Sequence, residues 1–481
     1  MMSCREEEYA RLIKPCPGVS RRRFLGLSGL AALGIAAGRI PGSTGSKDAS
    51  SRQEAEPAGF GPLIKDPGGI LDLPRGFSYR IISRAGHTMS DGFKVPGHAD
   101  GMAAFPGPGG KTIVLRNHEI WPDFPPEYGA FGAGNVLLRR VRRSLLYDWM
   151  RGGTNCLGAV TTLVFGTRTQ KLESQFLTLC GTLANCSGGA TPWGTWLSCE
   201  EWFQNPGLQY SKRHGYVFEV KAASEPGIQK PVPLKGMGRF VHEGVAVDPA
   251  TGICYMTEDQ NDALFYRFLP VRPQKPAEGG RLQCLAVRDR PGLDTRNWQA
   301  NLFPAGSSAQ VEWIDLDDVD GKNDDLRVRG FEKGGARFAH GEGIAFGAGA
   351  VHFDSTFGGR TKTGQIWRYF PSPAEGTPQE PSEPGRLELF LQPDDARVLF
   401  NPDQMALSPW GDLLICEDNS QRFHLLGITP QGKSYLLARN VKDDSELAGV
   451  CFSPDRSTMF LNLQDAGLTL AVTGPWKTPS G

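Results

Sequence analysis

The sequence predicts an all-β protein, a six-bladed β-propeller with a short helical insertion between the first two blades. Three observations lead there: a turn-rich composition, a recurring acid–turn–strand unit, and the lack of any long helical period. The chain has 481 residues, of which Gly (61) and Pro (36) together make up roughly a fifth, too many interruptions for a helical bundle. Hydrophobic residues at 39% supply a core, so the chain is globular and not disordered. A pair of β-sandwiches is the competing all-β architecture, but a sandwich gives no reason for one unit to recur along the chain.

The first segment reads as an address. Ser20-Arg21-Arg22-Arg23-Phe24-Leu25 precedes the weakly apolar, glycine-containing run Gly26 to Gly38. A basic stretch before a short apolar run is a signal peptide, and paired arginines before Phe-Leu match the twin-arginine pattern. Residues 1–42 are therefore expected to be a leader recognised by the twin-arginine export machinery, which carries folded protein. Residues 43–75 are expected to be a linker, and residues 76–475 the propeller domain. No later segment reaches the ~18 apolar residues of a spanning helix, so a periplasmic or secreted protein without stable membrane insertion is expected. Lys+Arg and Asp+Glu are both 52, leaving no net charge to hold a nucleic acid. A monomer is expected.

The unit itself is an acid, a Gly or Gln, two or three apolar residues, a Pro/Gly turn, an apolar strand and a closing carboxylate. It runs from Glu243 to Asp259, from Glu342 to Thr356 and from Asp403 to Asp418, with two weaker copies from Asp100 to Glu119 and from Ala448 to Gln464. Aligning Thr191-Pro192-Trp193-Gly194 with Ser408-Pro409-Trp410-Gly411 sets Cys186 opposite Asp403, so a thiol stands where the other units carry an acid. Unequal spacing of the units fits four-stranded blades with insertions. Asn135 to Trp149, with apolar Val136, Leu137, Val141, Leu145 and Trp149 against four arginines, reads as the amphipathic helical insertion. The ten cysteines contain no Cys-x-x-Cys. Cys199, Cys254, Cys416 and Cys451 lie in apolar strands and read as buried thiols, while Cys156 and Cys180 are candidates for a pair.

Equivalent positions of successive blades converge on a propeller's channel. Asp100, Cys186, Glu243, Glu342 and Asp403 should form one ring there, and Glu119, Glu200, Glu258 and Glu417 a second tier. Several carboxylates aimed into one channel need cations. Oxygen donors in this number suit calcium, and a thiolate among them calls for a transition metal, iron better than a structural zinc. Any one of these acids alone would do to cap a turn or bridge two blades.

At these residues the chain resembles the PhoX-type secreted alkaline phosphatases. The carrying segments are Arg116-Asn117-His118-Glu119, Asn185 to Gly189, Thr191 to Trp196, Cys199-Glu200-Glu201, Gly238 to Glu243, Glu342-Gly343, Pro402-Asp403-Gln404 and Cys416 to Asn419. The resemblance implies a six-bladed propeller that hydrolyses small phosphate monoesters with Fe3+ and Ca2+ ions in its channel. It matches Cys186 to a cysteine iron ligand and Glu243 and Glu342 to glutamate ligands, with Glu119, Glu200 and Glu258 at further ligand positions. It also implies an arginine gripping phosphate two residues before the later glutamate; here that place holds His340, with Arg337 or Arg239 as substitutes. Another metal-assisted propeller hydrolase, acting on a lactone or phosphodiester, and a non-catalytic calcium-stabilised propeller are the alternative readings.

Overall fold

The computed structural model describes residues 59–149, 156–419 and 421–477. The expected leader at 1–42 lies outside the described residues, as does the first part of the expected linker. Among the described residues the regular structure is nearly all antiparallel strand, with one α-helix and several single 3-10 turns. The architecture is all-β and propeller-like.

Two short strands, β1 (Leu63–Ile64) and β2 (Leu71–Pro74), and β3 (Ser78–Arg84) come before the first complete sheet. That sheet is β4 (Ala99–Pro106), β5 (Thr112–His118), β6 (Gly158–Gly166) and β7 (Lys171–Thr182), paired in chain order. The next is β8 (Asn185–Ala190), β9 (Thr195–Glu200) and β10 (Val217–Lys221). Then come β11 (His242–Val247), β12 (Cys254–Glu258), β13 (Tyr266–Pro270), β14 (Gly280–Val287) and β15 (Ser308–Asp315), followed by helix α1 (Leu326–Glu332). The chain returns through β16 (Gly341–Gly347), β17 (Ala350–Ser355), β18 (Gln365–Phe370) and β19 (Arg386–Leu391). Because β15 pairs with both β14 and β19, these two runs share one outer edge and form a continuous sheet. The last two sheets are β20 (Pro402–Leu407), β21 (Leu413–Glu417), β22 (His424–Ile428) and β23 (Ser434–Asn440), then β24 (Leu447–Phe452), β25 (Met459–Leu463) and β26 (Leu468–Thr473).

The leading strands pack on one another in sequence: β4 on β8, β8 on β11, β11 on β16, β16 on β20, β20 on β24, and β24 back on β4. The outer edges are covered from the N-terminal side. β3 pairs with β26 and β2 with β23, so the two ends of the chain close the structure and no long edge is left open there. Strand β2, inside the expected linker of 43–75, is fully buried and pairs with β23. Between sheets the faces are apolar, as the alternation of the strands requires; Leu197, Cys199, Val217, Val245, Cys254 and Met256 form one such interlayer.

The expected helix from Asn135 to Trp149 is also corrected. The segment forms three separate 3-10 turns, Ala133–Asn135, Leu138–Arg140 and Arg143–Leu145, with extended backbone at Val141 and Arg142 between them. It lies between β5 and β6, inside the first sheet and not between two sheets. Val141 and Leu146 are buried against Phe93, Phe131 and Leu157, and reaching that apolar cluster takes an extended step that a continuous helix lacks. Cys156 and Cys180 are both free and buried; Cys199, Cys254 and Cys416 are the buried thiols expected, and Cys451 is half-buried.

One feature repeats at every leading strand. The pairing of β4 with β5 shifts register between Ala99 and Met102, and the same shift occurs at Asn185/Gly188, His242/Val245, Gly341/Ile344, Pro402/Met405 and Ala448/Cys451. A β-bulge re-aims side chains and kinks its strand. Where glycine follows the acid it lets the kinked strands approach. A Cβ on Gly101 would meet Ser187 Cα at 2.7 Å, and one on Gly343 would meet Asp403 O at 2.1 Å and Met405 N at 2.7 Å. Those neighbours are backbone and cannot swing aside. Gly343→Ala is expected to cost about 1–3 kcal/mol or more in denaturant unfolding by overpacking, and to lower metal retention because Glu342 and Asp403 flank the contact. Unchanged stability would show that the strands are free to separate.

Candidate metal centre

The residues immediately after the bulge starts in the first five leading strands are Asp100, Cys186, Glu243, Glu342 and Asp403; in the last, the shift starts one residue later, at Ala448 itself. All five functional side chains among them are buried, at 2% exposure or less. Their donor atoms gather in overlapping groups, each within 4.8 Å: Asp100, Glu119 and Cys186; Cys186, Glu201 and Glu243; Glu243, Glu342 and Asp403; and Asp259, His340 and Glu342. Cys186, Glu243 and Glu342 each belong to two groups, so the donors run as one continuous chain from Asp100 to Asp403 and Asp259.

The thiol anchors this chain. Cys186 Sγ lies 3.1 Å from Glu243 Oε1 and 3.5 Å from Asp100 Oδ2. Burial, and then the charges of Asp100, Glu243, Glu119 and Glu201, push the Cys186 thiol well above its ordinary range. A thiol in that setting ionises only against a cation, and cation binding would expel its proton. The donor set therefore fits metal: hard carboxylate oxygens for a calcium-like ion, and a thiolate for a transition metal. Backbone carbonyls around the donors are held in turn. Asn117 Nδ2 donates to Cys186 O (3.1 Å) and Ser187 O (2.7 Å), Thr257 Oγ1 to Glu342 O (2.6 Å), and Asn462 Nδ2 to Asp100 O (2.7 Å).

Cys186, Glu243, Glu342, Glu119 and Asp403 thus come together, as the repeat predicts. Three expected ligands do not. Glu200 accepts from Leu183 N, Gly215 N and Tyr216 N and sits 2.7 Å from His214 Nδ1. Glu258 accepts from Leu264 N and Tyr266 OH and pairs with Arg327; burial raises its carboxyl to about 8 against the pull of Arg327. Glu417 accepts from Phe400 N and Arg422 Nη2. The reason is register. Glu200, Glu258 and Glu417 pair with Asn185, His242 and Pro402, one residue before the ring position, so the residue facing the ring is the next one. Adjacent residues of a strand point to opposite sides. The doubled acids Glu200-Glu201 and Glu258-Asp259 each give their second member to the donor groups, and only that doubling in the sequence could have marked Glu201 and Asp259.

Of the three expected phosphate-binding residues, one lies at the donors. His340, with a positive φ of 51°, bonds Asp259 through Nδ1 and faces Asn261 Oδ1 at 3.0 Å through Nε2. Both ring nitrogens are engaged by protein, and the imidazole's contact is with a carboxylate of the group. Arg239 does not reach the donors: its guanidinium is buried and donates to the carbonyls of His214, Gly321 and Gln204. Arg337 lies over the Phe331 ring at 3.6 Å, with Arg296, Asp262 and Asp294 as its nearby charges.

A second buried group, outside the ring, was invisible in the sequence. His214 sits between Glu200 (2.7 Å) and Asp148 (3.2 Å), all with fully buried side chains, and Cys156 lies against them. Asp148 also accepts from Ser211 N and Lys212 N. These residues come from three separate stretches and make no motif.

An all-β, propeller-like fold whose leading strands converge on buried carboxylates and a thiol defines a protein with a candidate metal centre at the meeting of its sheets. The chain belongs to the alkaline phosphatase PhoX family: the family model matches residues 58–124 and 159–467, leaving out most of the stretch of 3-10 turns. No curated protein matches the sequence. Among solved structures the fold is similar to that of Pseudomonas fluorescens PhoX in complex with vanadate, a transition state analogue, at TM-score 0.62 and 16% identity, covering 84% of this chain and 96% of that one. A gluconolactonase from Xanthomonas campestris (TM-score 0.38, 10% identity, 87% of this chain and 99% of that one) and an auxiliary nutrient binding protein from Bacteroides ovatus (TM-score 0.39, 10% identity, 83% and 77%) are more distant.

Proposed function

We propose that this protein is a metal-dependent phosphomonoesterase of six blades, exported by the twin-arginine route to the periplasm or medium and active as a monomer. The observation that carries the reading is the continuous donor chain through Cys186, Glu243 and Glu342 in a member of the PhoX family. The closed succession of leading strands β4, β8, β11, β16, β20 and β24 supports the count of six. We assign the thiolate end, with Cys186, Asp100, Glu119, Glu201 and Glu243, to a ferric ion, and the all-oxygen end, with Glu342 and Asp403, to calcium. Bound there, metals supply positive charge to the phosphoryl oxygens and an activated oxygen nucleophile. The protein's part is to fix the donors from rigid strands, exclude water from them, and orient Asp259 through His340. No helix among the described residues is long and apolar enough to cross a membrane.

The test is a paired assay of natively exported protein on a phosphomonoester and a lactone, before and after chelation. Phosphomonoester turnover lost on chelation and restored by iron with calcium is expected. Lactone turnover alone, or calcium retention with no hydrolysis, would overturn the reading in favour of one of its alternatives.

A further inference from the structure

The last sheet breaks the pattern of the ring. At the position of Asp100 it carries Ala448, and at the position of Glu119, Glu201, Asp259 and Asp418 it carries Gln464. Gln464 is 3% exposed, and its Nε2 donates to Asp100 Oδ2 at 2.9 Å and to Glu119 Oε2 at 3.0 Å. A primary amide has two N–H donors, and here each goes to a different carboxylate. The orientation of the amide is settled by its partners, since an amide oxygen in that place would face two acceptors. The backbone carbonyl of His98 accepts from Glu119 N at 2.9 Å and holds that end of the pair.

We propose that Gln464 is a positioning residue of the metal centre, clamping Asp100 and Glu119 by one oxygen each so that the two carboxylates and Cys186 stand as a preformed half-site. The inference rests on the metal-centre reading above. Two carboxylates whose donor atoms lie within 4.8 Å of each other and of a thiol repel one another when ionised, and a shared neutral donor offsets that repulsion without adding charge. An acid at residue 464, as at Glu119, Glu201, Asp259 and Asp418, would instead put a third acceptor against the two. Partners that orient metal-binding side chains are typically worth about 10–100-fold in metal affinity.

The experiment is a titration of metal-stripped, full-length protein with Co2+ against a competing chelator, following the thiolate-to-cobalt and ligand-field bands. Gln464→Met, which keeps the side-chain length and removes both donors, is expected to weaken Co2+ binding about 10–100-fold and to alter the ligand-field band while the thiolate band persists. A residue that only packs would lower the unfolding midpoint and leave both affinity and spectrum as in wild type, and that result overturns the proposal. If Gln464→Met does not fold, Gln464→Asn, which withdraws the amide by one methylene, is read in the same way, and wild-type affinity and spectrum there overturn it equally. Failure of the wild type itself to bind Co2+ with a thiolate band would instead defeat the metal-centre reading on which the clamp depends.

Discussion

Cys186→Ser is expected to strip the transition metal from the protein and with it nearly all phosphatase activity. The thiol is the only sulfur in the donor groups of the ring and stands in two of them, so its loss breaks the link between the Asp100 and Glu243 ends. Loss of an outer partner costs about 10–100-fold in metal affinity, and loss of a direct ligand should exceed that range. Serine keeps the size but stays protonated, so it cannot supply the anionic soft donor. Cys199→Ser is the control. Cys199 is as deeply buried, yet it packs in the apolar layer with Val245 and Met256, and its replacement should cost stability while leaving metal content intact. Elemental analysis of both purified variants checks the prediction; equal iron in the two would make Cys186 an ordinary core thiol.

His214→Leu is expected to have the largest effect on stability of any change outside the ring. It removes the imidazole between Asp148 and Glu200 and leaves two buried carboxylates facing each other, a loss of about 3–5 kcal/mol by the usual cost of orphaning a buried charge. Urea unfolding measures it. Burial alone would lower the imidazole pKa, but the Glu200 charge and the bonds to Asp148, Cys156 and Glu200 outweigh burial and raise it well above 6.5. The sign follows. A group held protonated in the folded state stabilises fully below its unfolded pKa, and that contribution fades as the pH rises through the folded value. Wild type should lose this increment on the alkaline side, and His214→Leu should lack that loss. A variant within ~0.5 kcal/mol of wild type, with an unchanged pH dependence, would mean the triad is not an ionic one.

What was legible in the sequence follows from what repeats. Acid and strand recur because every leading strand carries the same bulge, which lets Asp100, Cys186, Glu243, Glu342 and Asp403 be aligned from the sequence. The second tier is ambiguous where the sequence offers two acids in a row. Glu119 has no acidic neighbour and lies in a donor group; Glu200, Glu258 and Glu417 are each followed by a second acid, and a slip of one residue turns a strand side chain to the other side. Only the pairing to Asn185, His242 and Pro402 decides between them. The arginine-flanked stretch from Asn135 misled for a different reason: its apolar spacing suits a helix, but its burial is set by the neighbouring cluster of Phe93, Phe131 and Leu157, which local periodicity does not encode. The Asp148–His214–Glu200 triad had no signal at all, since its members meet only through the fold.

The central claim is that the buried donors at the meeting of the leading strands hold a transition metal through Cys186. Anomalous diffraction from crystals of natively exported protein, collected on both sides of the iron edge, tests it most directly. The account predicts an iron peak within bonding distance of Cys186 Sγ and a carboxylate oxygen of Glu243, with any calcium at the Glu342 and Asp403 end. A transition-metal peak at Asp148, Cys156 and His214 instead, or none beside Cys186, would contradict it.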